Sequence, residues 1–415
     1  MSTRPSLETH LETRALAPRP GLRRLAALLL SASVAVIAAC GGGGDAAPTG
    51  GGTAAAERAT AFAAGPISGF GSVIVNGVRF DDSGAVVTDD DDRARSRDQL
   101  RLGMMVELEG AGVNAGAGTG RALRIRFGSE IVGPVTAVDS AAGTLTVLGQ
   151  KVAVTASTVF DDSLAGGLAG ISTASVLEVH AQFNATDGSY TAMRVEDATS
   201  ATTYKLRGLI AGLDTTAKTF SVGGQVISYG QLAAADVPAS LANGQRVRVR
   251  LQTTQVNGQW VATAVRTGVR QPDDGVGAHL RGPITAFSSA SEFEVNGLKV
   301  DASKASFPDG VTGIVLGAVV EVKGSVSAGT LVATTVELDG RHAPERHRFE
   351  LHGSVSALNT TAKTFKLRNV TVSYAGSVTW KDGAETDLAD GKRVSVKGTP
   401  SADRTQLVAT QIDFE

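Results

Sequence analysis

A segment of about 70 residues recurs five times along this chain of 415 residues. Each copy opens with Gly-x-Ile or Gly-x-Val, at Gly65, Gly133, Gly208, Gly282 and Gly353. A period of this kind indicates one small structural unit that is made repeatedly. A unit of about 60 residues buries only about 60% of its surface and is marginal alone, and closing its sheet into a barrel removes the exposed edges.

Turn signals divide each unit into strands. A first hairpin turn is predicted at Asn76–Gly77, Gly149–Gln150, Gly223–Gly224, Asn296–Gly297 and, with no glycine, at Asn369. Asn-Gly and Gly-Gly supply the positive φ angles of a tight hairpin. A second glycine precedes the fourth strand in four units, at Gly103, Gly244, Gly317 and Gly391, whereas Ala174 takes its place in the second unit.

The order of elements in a unit is three strands, a less regular segment and two more strands. Alternating apolar and polar residues predict these strands, and no window has the 3.6-residue period of a capped helix. A short helix is expected in the third unit before Pro238. This order is that of an oligonucleotide/oligosaccharide-binding (OB) barrel. The sequence therefore predicts an all-β fold, a tandem array of five small five-stranded OB-like β-barrels.

The N-terminal region resembles a bacterial lipoprotein signal. Arg23 and Arg24 precede the apolar stretch 25–39, which is too short to span a bilayer, and Ile-Ala-Ala-Cys40 ends it. We expect Cys40, the only cysteine, to be diacylated and to become the new N-terminus; an ordinary signal peptide or an uncleaved anchor is the alternative. Gly41, in place of an aspartate, favours the outer over the inner membrane.

These patterns divide the whole chain into segments. A Gly-rich stretch after Cys40 has the composition of a disordered, flexible tether. The predicted segments are 1–39 for the signal peptide, 40–63 for the lipidated cysteine and tether, and 64–128, 130–197, 204–268, 278–339 and 349–415 for the five barrels.

The repeat resembles the bacterial domain-of-unknown-function family 5666. Its pattern is Gly-x-Ile/Val, Thr-x-x-Val-Asn-Gly, Leu-x-x-Gly-x-x-Val-x-Val-x-Gly and a final Ala-x-x-Ile/Val. The family is common in secreted proteobacterial lipoproteins, often in tandem, so the resemblance implies the location and the fold but supplies no activity. The first, third, fourth and fifth units follow the pattern. The second departs at Ala174 and Gly149–Gln150, and the fifth lacks a glycine after Asn369.

Two clusters of polar residues could bind a metal. The run Asp89–Asp92 lacks the alternate carboxylates and glycine bend of a calcium loop, so we interpret it as a solvated loop, with weak divalent-cation binding as the alternative. His342, His347 and His352 could bind zinc, but a polar linker is the simpler interpretation. We therefore predict neither a metal site nor a cofactor.

Two other groups of residues could contact a ligand. Arg246, Arg248 and Arg250 alternate along a fourth strand, where they predict a solvent-facing charged face or a contact with an anionic glycan or lipopolysaccharide. Trp260 and Trp380 could stack on a sugar, but we expect each to cap a barrel core.

The predicted function is that of a non-enzymatic, membrane-anchored binding or envelope-structural module. No nucleophile elbow, zinc-protease helix or Ser/His/Asp set is present, so no catalytic residue is predicted. A net charge of −2 without a basic stripe argues against nucleic acid. We expect a monomer in the cell envelope, held by the lipid on Cys40, with polysaccharide, lipopolysaccharide or an envelope protein as candidate partners. The alternatives are a carbohydrate-active or other enzyme with a site between repeats, and a metal- or ligand-carrying accessory lipoprotein.

Overall fold

A computed structural model describes residues 58–114, 117–164, 166–267, 271–339 and 349–415. The predicted signal peptide, Cys40, the tether up to residue 57, His342 and His347 lie outside these residues. Every described repeat is built from strands, with only single turns of 3-10 helix between them. One of these turns, Ala234–Asp236, lies where a short helix was predicted in the third repeat.

Barrel 1 shows how each repeat closes. Its strands are β1 (Ala61–Phe70), β2 (Val73–Val75), β3 (Val78–Asp81), β4 (Val86–Asp89), β5 (Ala94–Arg95), β6 (Met105–Asn114) and β7 (Thr119–Phe127). The ring runs β1-β2-β3-β7-β6 and returns to β1. Only β3 and β7 pair in parallel within this ring. In chain order the hairpin β4–β5 lies between β3 and β6, and β4 pairs with β7.

The other four barrels repeat this ring. Barrel 2 contains β8 (Ile131–Asp139), β9 (Thr144–Val147), β10 (Gln150–Phe160), β11 (Val176–Phe183) and β12 (Tyr190–Asp197). Barrel 3 contains β13 (Tyr204–Asp214), β14 (Thr219–Val222), β15 (Gln225–Ser228), β16 (Arg246–Val256) and β17 (Gln259–Thr267). Barrel 4 contains β18 (Gly277–Ser289), β19 (Glu292–Val295), β20 (Leu298–Asp301), β21 (Val319–Ser327) and β22 (Thr330–Leu338).

Barrel 5 contains β23 (Phe349–Ser354), β24 (Ser356–Asn359), β25 (Thr364–Leu367), β26 (Val370–Ser373), β27 (Thr379–Lys381), β28 (Arg393–Pro400) and β29 (Leu407–Phe414). Strands β23 and β24 are two halves of one first strand, interrupted at Val355. In all five barrels the third and fifth strands pair in parallel, which is the closure of an OB barrel. The predicted all-β array of five OB-like barrels is confirmed.

The glycine before the fourth strand has a backbone role. Gly103, Gly244, Gly317 and Gly391 all have φ between 79° and 87°, a left-handed conformation that disfavours other residues. Each donates its N–H to the carbonyl of the Ile or Val in the opening motif, at 2.8–2.9 Å. Ala174 is not left-handed, and its N–H is donated to Ser172 Oγ at 3.3 Å instead of to the opening motif. The turn bond from Ser175 N to Ser172 O, at 3.0 Å, has a counterpart in each of the other four barrels.

The opening glycine leaves space for the turn that joins the second and third strands of a barrel. A Cβ atom on Gly65 would lie 2.4 Å from Asn76 Oδ1, and one on Gly282 would lie 2.2 Å from Asn296 Nδ2. In barrel 2 this turn is Leu148–Gly149, one residue earlier than predicted, since β9 ends at Val147. Leu148 is left-handed but buried, so packing outweighs its turn preference.

The barrels are fused rather than strung as separate beads. Barrels 2 and 3 share one apolar core and pair β8 with β13, and barrels 1 and 5 share a second core. Strand β1 pairs in parallel with β18 of barrel 4 and with β23 of barrel 5, and Phe62 joins the core of barrel 4. Trp260 lies in the core of barrel 3 and Trp380 packs against that of barrel 5, as predicted.

Candidate functional site

The densest group of charged side chains lies where the hairpin β4–β5 of barrel 1 meets barrel 3. Asp89 organises this turn, because its carboxylate accepts the N–H groups of Asp91 and Arg93 at 2.9 and 3.0 Å. The same carboxylate pairs with the Arg95 guanidinium at 2.6 Å. These bonds fix the backbone of the turn, and they place the side chain of Asp90 against barrel 3.

Asp90 is the centre of a buried ion-pair network, which we call the Asp90 cluster. Its carboxylate lies 3.2 Å from Lys205 Nζ, 3.2 Å from Arg207 Nη2 and 2.9 Å from Arg248 Nη1. Further pairs join Arg248 and Arg250 to Asp91, and Arg207 and Arg246 to Glu130. The cluster therefore comprises Asp90, Asp91, Glu130, Lys205, Arg207, Arg246, Arg248 and Arg250.

Two sequence interpretations are wrong at this place. The aspartate run is not a solvated loop, since Asp89 and Asp90 are buried, and Arg246, Arg248 and Arg250 do not face solvent. Barrel 1 covers the polar face of β16, so side chains that looked like two exposed surfaces form ion pairs with each other. Lys205, Arg207 and Glu130 were missed by the sequence reasoning, although Lys205 and Arg207 alternate along β13 in the same way.

The electrostatics of Asp90 follow from its partners. Burial opposes ionisation of this carboxyl, but Lys205, Arg207 and Arg248 outweigh it and hold the pKa of Asp90 far below its usual range. Removing one partner of such a buried pair leaves a charge without compensation, so the cluster depends on all its members.

A large polar cavity lies on one side of the Asp90 cluster, between barrels 1, 2 and 3. Its volume is about 710 Å³, and its charged lining comprises Asp89, Asp90, Arg93, Arg95, Arg101, Asp161, Glu178, Glu196, Asp197, Lys205 and Arg250. Buried Arg194 lies beside it and joins two barrels, because it pairs with Asp161 at 2.9 Å and donates to Leu102 O at 3.4 Å.

Two carboxyls of barrel 2 that line this large cavity, those of Asp161 and Glu178, have lowered pKa values. Burial alone raises the pKa of Asp161, but hydrogen bonds from Ser163 and the charge of Arg194 outweigh burial, and the pKa lies below its ordinary value. Burial of Glu178 is likewise outweighed by His180 and Lys205, so the pKa of Glu178 is lowered. A general acid requires the opposite shift. The cavity is suited to hold a polar ligand by charge and hydrogen bonds.

A second cavity of about 550 Å³ lies between barrels 1 and 3, and we call it the arginine cavity. Its charged lining comprises Asp90, Asp92, Glu107, Arg126, Arg207, Arg246, Arg248 and Arg266. Arg126 pairs with Glu107 at 3.2 Å, whereas Arg266 has no carboxylate partner within the described ranges.

The histidines do not form a described site. Two of the three, His342 and His347, fall outside the described residues. His352 lies on β23, with Nε2 3.2 Å from Glu350 and Nδ1 2.8 Å from Glu415. In the part of the chain that is described, no three His, Cys, Asp or Glu side chains are placed to hold a metal ion.

The described part of the chain contains no helix long and apolar enough to cross a membrane.

The sequence profile described as "Domain of unknown function (DUF5666)" matches the chain over four segments, residues 132–196, 207–266, 281–337 and 352–413. The chain belongs to the DUF5666 family. The matched segments are barrels 2 to 5, so the second repeat is recognised despite Ala174. Barrel 1 lies outside the DUF5666 matches, although its ring of strands is the same.

Other comparisons add little to the DUF5666 assignment. No curated protein matches the chain. Among solved structures, "drosophila Unr CSD456" is similar at 14% sequence identity, over 52% of this chain and 99% of that chain, with a TM-score of 0.13.

Proposed function

We propose that this protein is a non-enzymatic lipoprotein of the cell envelope, anchored through a diacylated Cys40, whose five fused barrels form a binding module. The observation that carries the binding half is the pair of polar cavities beside the Asp90 cluster. Ligand cavities of about 300–1,000 Å³ are usual for small-molecule sites, and both cavities fall in that range.

The anchoring half rests on the N-terminal sequence. Arg23 and Arg24, the short apolar stretch and the residues up to Cys40 fit a lipoprotein signal, and the Gly-rich tether would separate the lipid from barrel 1. A single acyl chain binds membranes weakly, whereas two chains anchor stably. Diacylation of one cysteine is therefore sufficient to hold the protein in the outer membrane, which Gly41 favours over the inner membrane.

Metabolic labelling tests the anchor. Cells that produce the protein are fed an alkyne fatty acid, and label is expected in the wild type but not in Cys40→Ala. Because Cys40 is the only cysteine, no second thiol can take the label. Density-gradient separation should place the labelled protein with outer-membrane markers. An unlabelled wild-type protein in the soluble fraction would refute the anchor.

An enzyme with a site between repeats is the second candidate, because carboxylates of barrels 1 and 2 line the same large cavity. The lowered pKa values of Asp161 and Glu178 count against acid catalysis there. Assay of the purified protein on chromogenic glycosides and on polysaccharide tests this candidate. Turnover that is lost in Asp161→Asn and kept in the exposed variant Asp92→Asn would favour the enzyme and overturn our proposal.

A further inference from the structure

The arginine cavity has the chemistry of an anion site. We propose that it binds the phosphate group of a small polar ligand, such as a phosphorylated saccharide, a phospholipid headgroup or free phosphate. This inference deepens the proposed binding function and rests on it. Five arginines line the cavity against three carboxylates, and they come from β7 of barrel 1 and from three strands of barrel 3.

Unmet hydrogen-bond donors support an anion. Arg207 Nε, Arg246 Nε and Arg246 Nη1 are buried and have no acceptor among the described residues. Arg126 Nε is also buried without one, since Asp92 Oδ1 lies 3.6 Å away. A buried charged donor without an acceptor is costly, and such groups are rare in folded proteins. Arg126, Arg207 and Arg246 all line the cavity, so rotation of their guanidinium groups turns these donors towards a bound oxyanion.

The local charge balance also favours an anion. The Asp90 cluster and the arginine cavity together contain more basic than acidic side chains. The basic ones are Arg126, Lys205, Arg207, Arg246, Arg248, Arg250 and Arg266, and the acidic ones are Asp90, Asp91, Asp92, Glu107 and Glu130. The excess is two positive charges. A phosphate monoester carries about −1.5 to −2 charge at pH 7, so it neutralises this excess.

Geometry favours phosphate over a single carboxylate. Guanidinium groups donate parallel N–H pairs to two oxygens at once, and a phosphate offers three oxygens to arginines from different strands. A volume of about 550 Å³ leaves space beside the phosphate for an organic body, and the polar lining suits one with hydroxyl groups.

Calorimetric titration of the full-length protein in a neutral detergent tests the site. The probes are glucose 6-phosphate, inorganic phosphate and short-chain dihexanoyl phosphatidic acid, with glucose as the neutral control. We expect at least one phosphate probe to bind and glucose not to bind, and the tightest probe identifies which source of phosphate the site takes. Absence of binding by all three phosphate probes at millimolar concentration would overturn the proposal.

Three variants localise the binding. Arg266→Gln removes an exposed arginine without a carboxylate partner, so folding is kept, and we expect about tenfold weaker binding, the effect of one charge-assisted contact. Arg246→Lys keeps the positive charge near Glu130 but removes the planar guanidinium that donates two parallel N–H bonds, and it should weaken binding similarly. The control is Arg393→Gln on barrel 5, where the side chain is 63% exposed.

The outcomes separate this inference from the proposed anchor. Equal affinities in the wild type, Arg266→Gln and Arg246→Lys would show that phosphate binds elsewhere and would refute the site. Labelling of Cys40 does not depend on either arginine. A labelled protein that binds none of the probes would therefore refute the phosphate site alone, whereas an unlabelled protein that binds them would refute the anchor alone.

Discussion

Lys205 Nζ lies 3.2 Å from Asp90 Oδ2, although the two residues are 115 positions apart in the chain. Both side chains are buried, and they belong to different repeats. Because each charge compensates the other, neither can be removed alone without leaving a buried ion. The pair therefore ties the hairpin of barrel 1 to the first strand of barrel 3.

Replacement of Asp90 should destabilise barrel 3 more than replacement of Asp92 does. Asp90→Asn leaves Lys205, Arg207 and Arg248 without their shared anion, and we expect a loss of about 3–5 kcal/mol in the free energy of unfolding. Asp92→Asn, two positions away with a side chain 75% exposed, should change it by less than about 0.5 kcal/mol.

Tryptophan fluorescence during urea unfolding measures this difference. The chain has two tryptophans, Trp260 in barrel 3 and Trp380 in barrel 5, so a Trp380→Phe background reports barrel 3. Equal midpoints for the two aspartate variants would contradict a central role for Asp90.

The same background should show an acid dependence to which Asp90 contributes. Its pKa is lowered in the folded protein, so its stabilisation is complete above its unfolded pKa of about 3.9 and is lost as the pH falls towards the lower folded value. We expect the midpoint of barrel 3 to fall below about pH 4 in the wild type and to fall much less in Asp90→Asn. Parallel curves for the two proteins would disprove the assignment.

His352 should give barrel 5 a dependence of the opposite sign. A hydrogen bond with Glu350, followed by one with Glu415, raises the pKa of His352 above 6.5 despite burial. Its contribution is therefore fully present below about pH 6.5 and is lost as the pH rises through the raised folded value. With Trp380 as the reporter in a Trp260→Phe background, stability should decline above neutrality, and His352→Gln should remove that decline. A decline that persists in the variant would point to another group.

The left-handed glycines should respond differently to alanine and asparagine. Gly244 has φ +80° and open space around a Cβ, so Gly244→Ala should cost about 1 kcal/mol and Gly244→Asn less, because asparagine tolerates this conformation. At Gly103 a Cβ would lie 2.4 Å from Met193 O, so both replacements should cost more than at Gly244. Thermal unfolding measures the series, and equal costs at the two glycines would contradict it.

Strand alternation and turn residues are sufficient to predict the barrels, because both depend on how a segment packs within its own repeat. The turn at Leu148–Gly149 lies one residue earlier than the sequence predicts, because Leu148 is buried against Gly133 although its φ of 48° is left-handed. Local preference is overruled there by the core.

The Asp90 cluster could not be predicted in the same way. The alternation of Arg246, Arg248 and Arg250 with valines tells which face of β16 is polar, but not what covers that face. An acidic run in one repeat and an alternating basic strand in another are complementary in charge, and that complementarity is the signal that sequence reasoning could have used.

Strand β1 has a consequence for the order in which the protein matures. Asn76 Nδ2 donates to His279 O, 203 residues later, and β1 itself gains its outer partners only from β18 and β23. Barrel 1 is therefore synthesised before the two barrels, 4 and 5, whose strands pair with β1. In a chain that ends before barrel 4, both of these edges of β1 stay unpaired. Unpaired strand edges can pair with other chains, so chaperones and proteases can distinguish incomplete copies from complete ones by these edges.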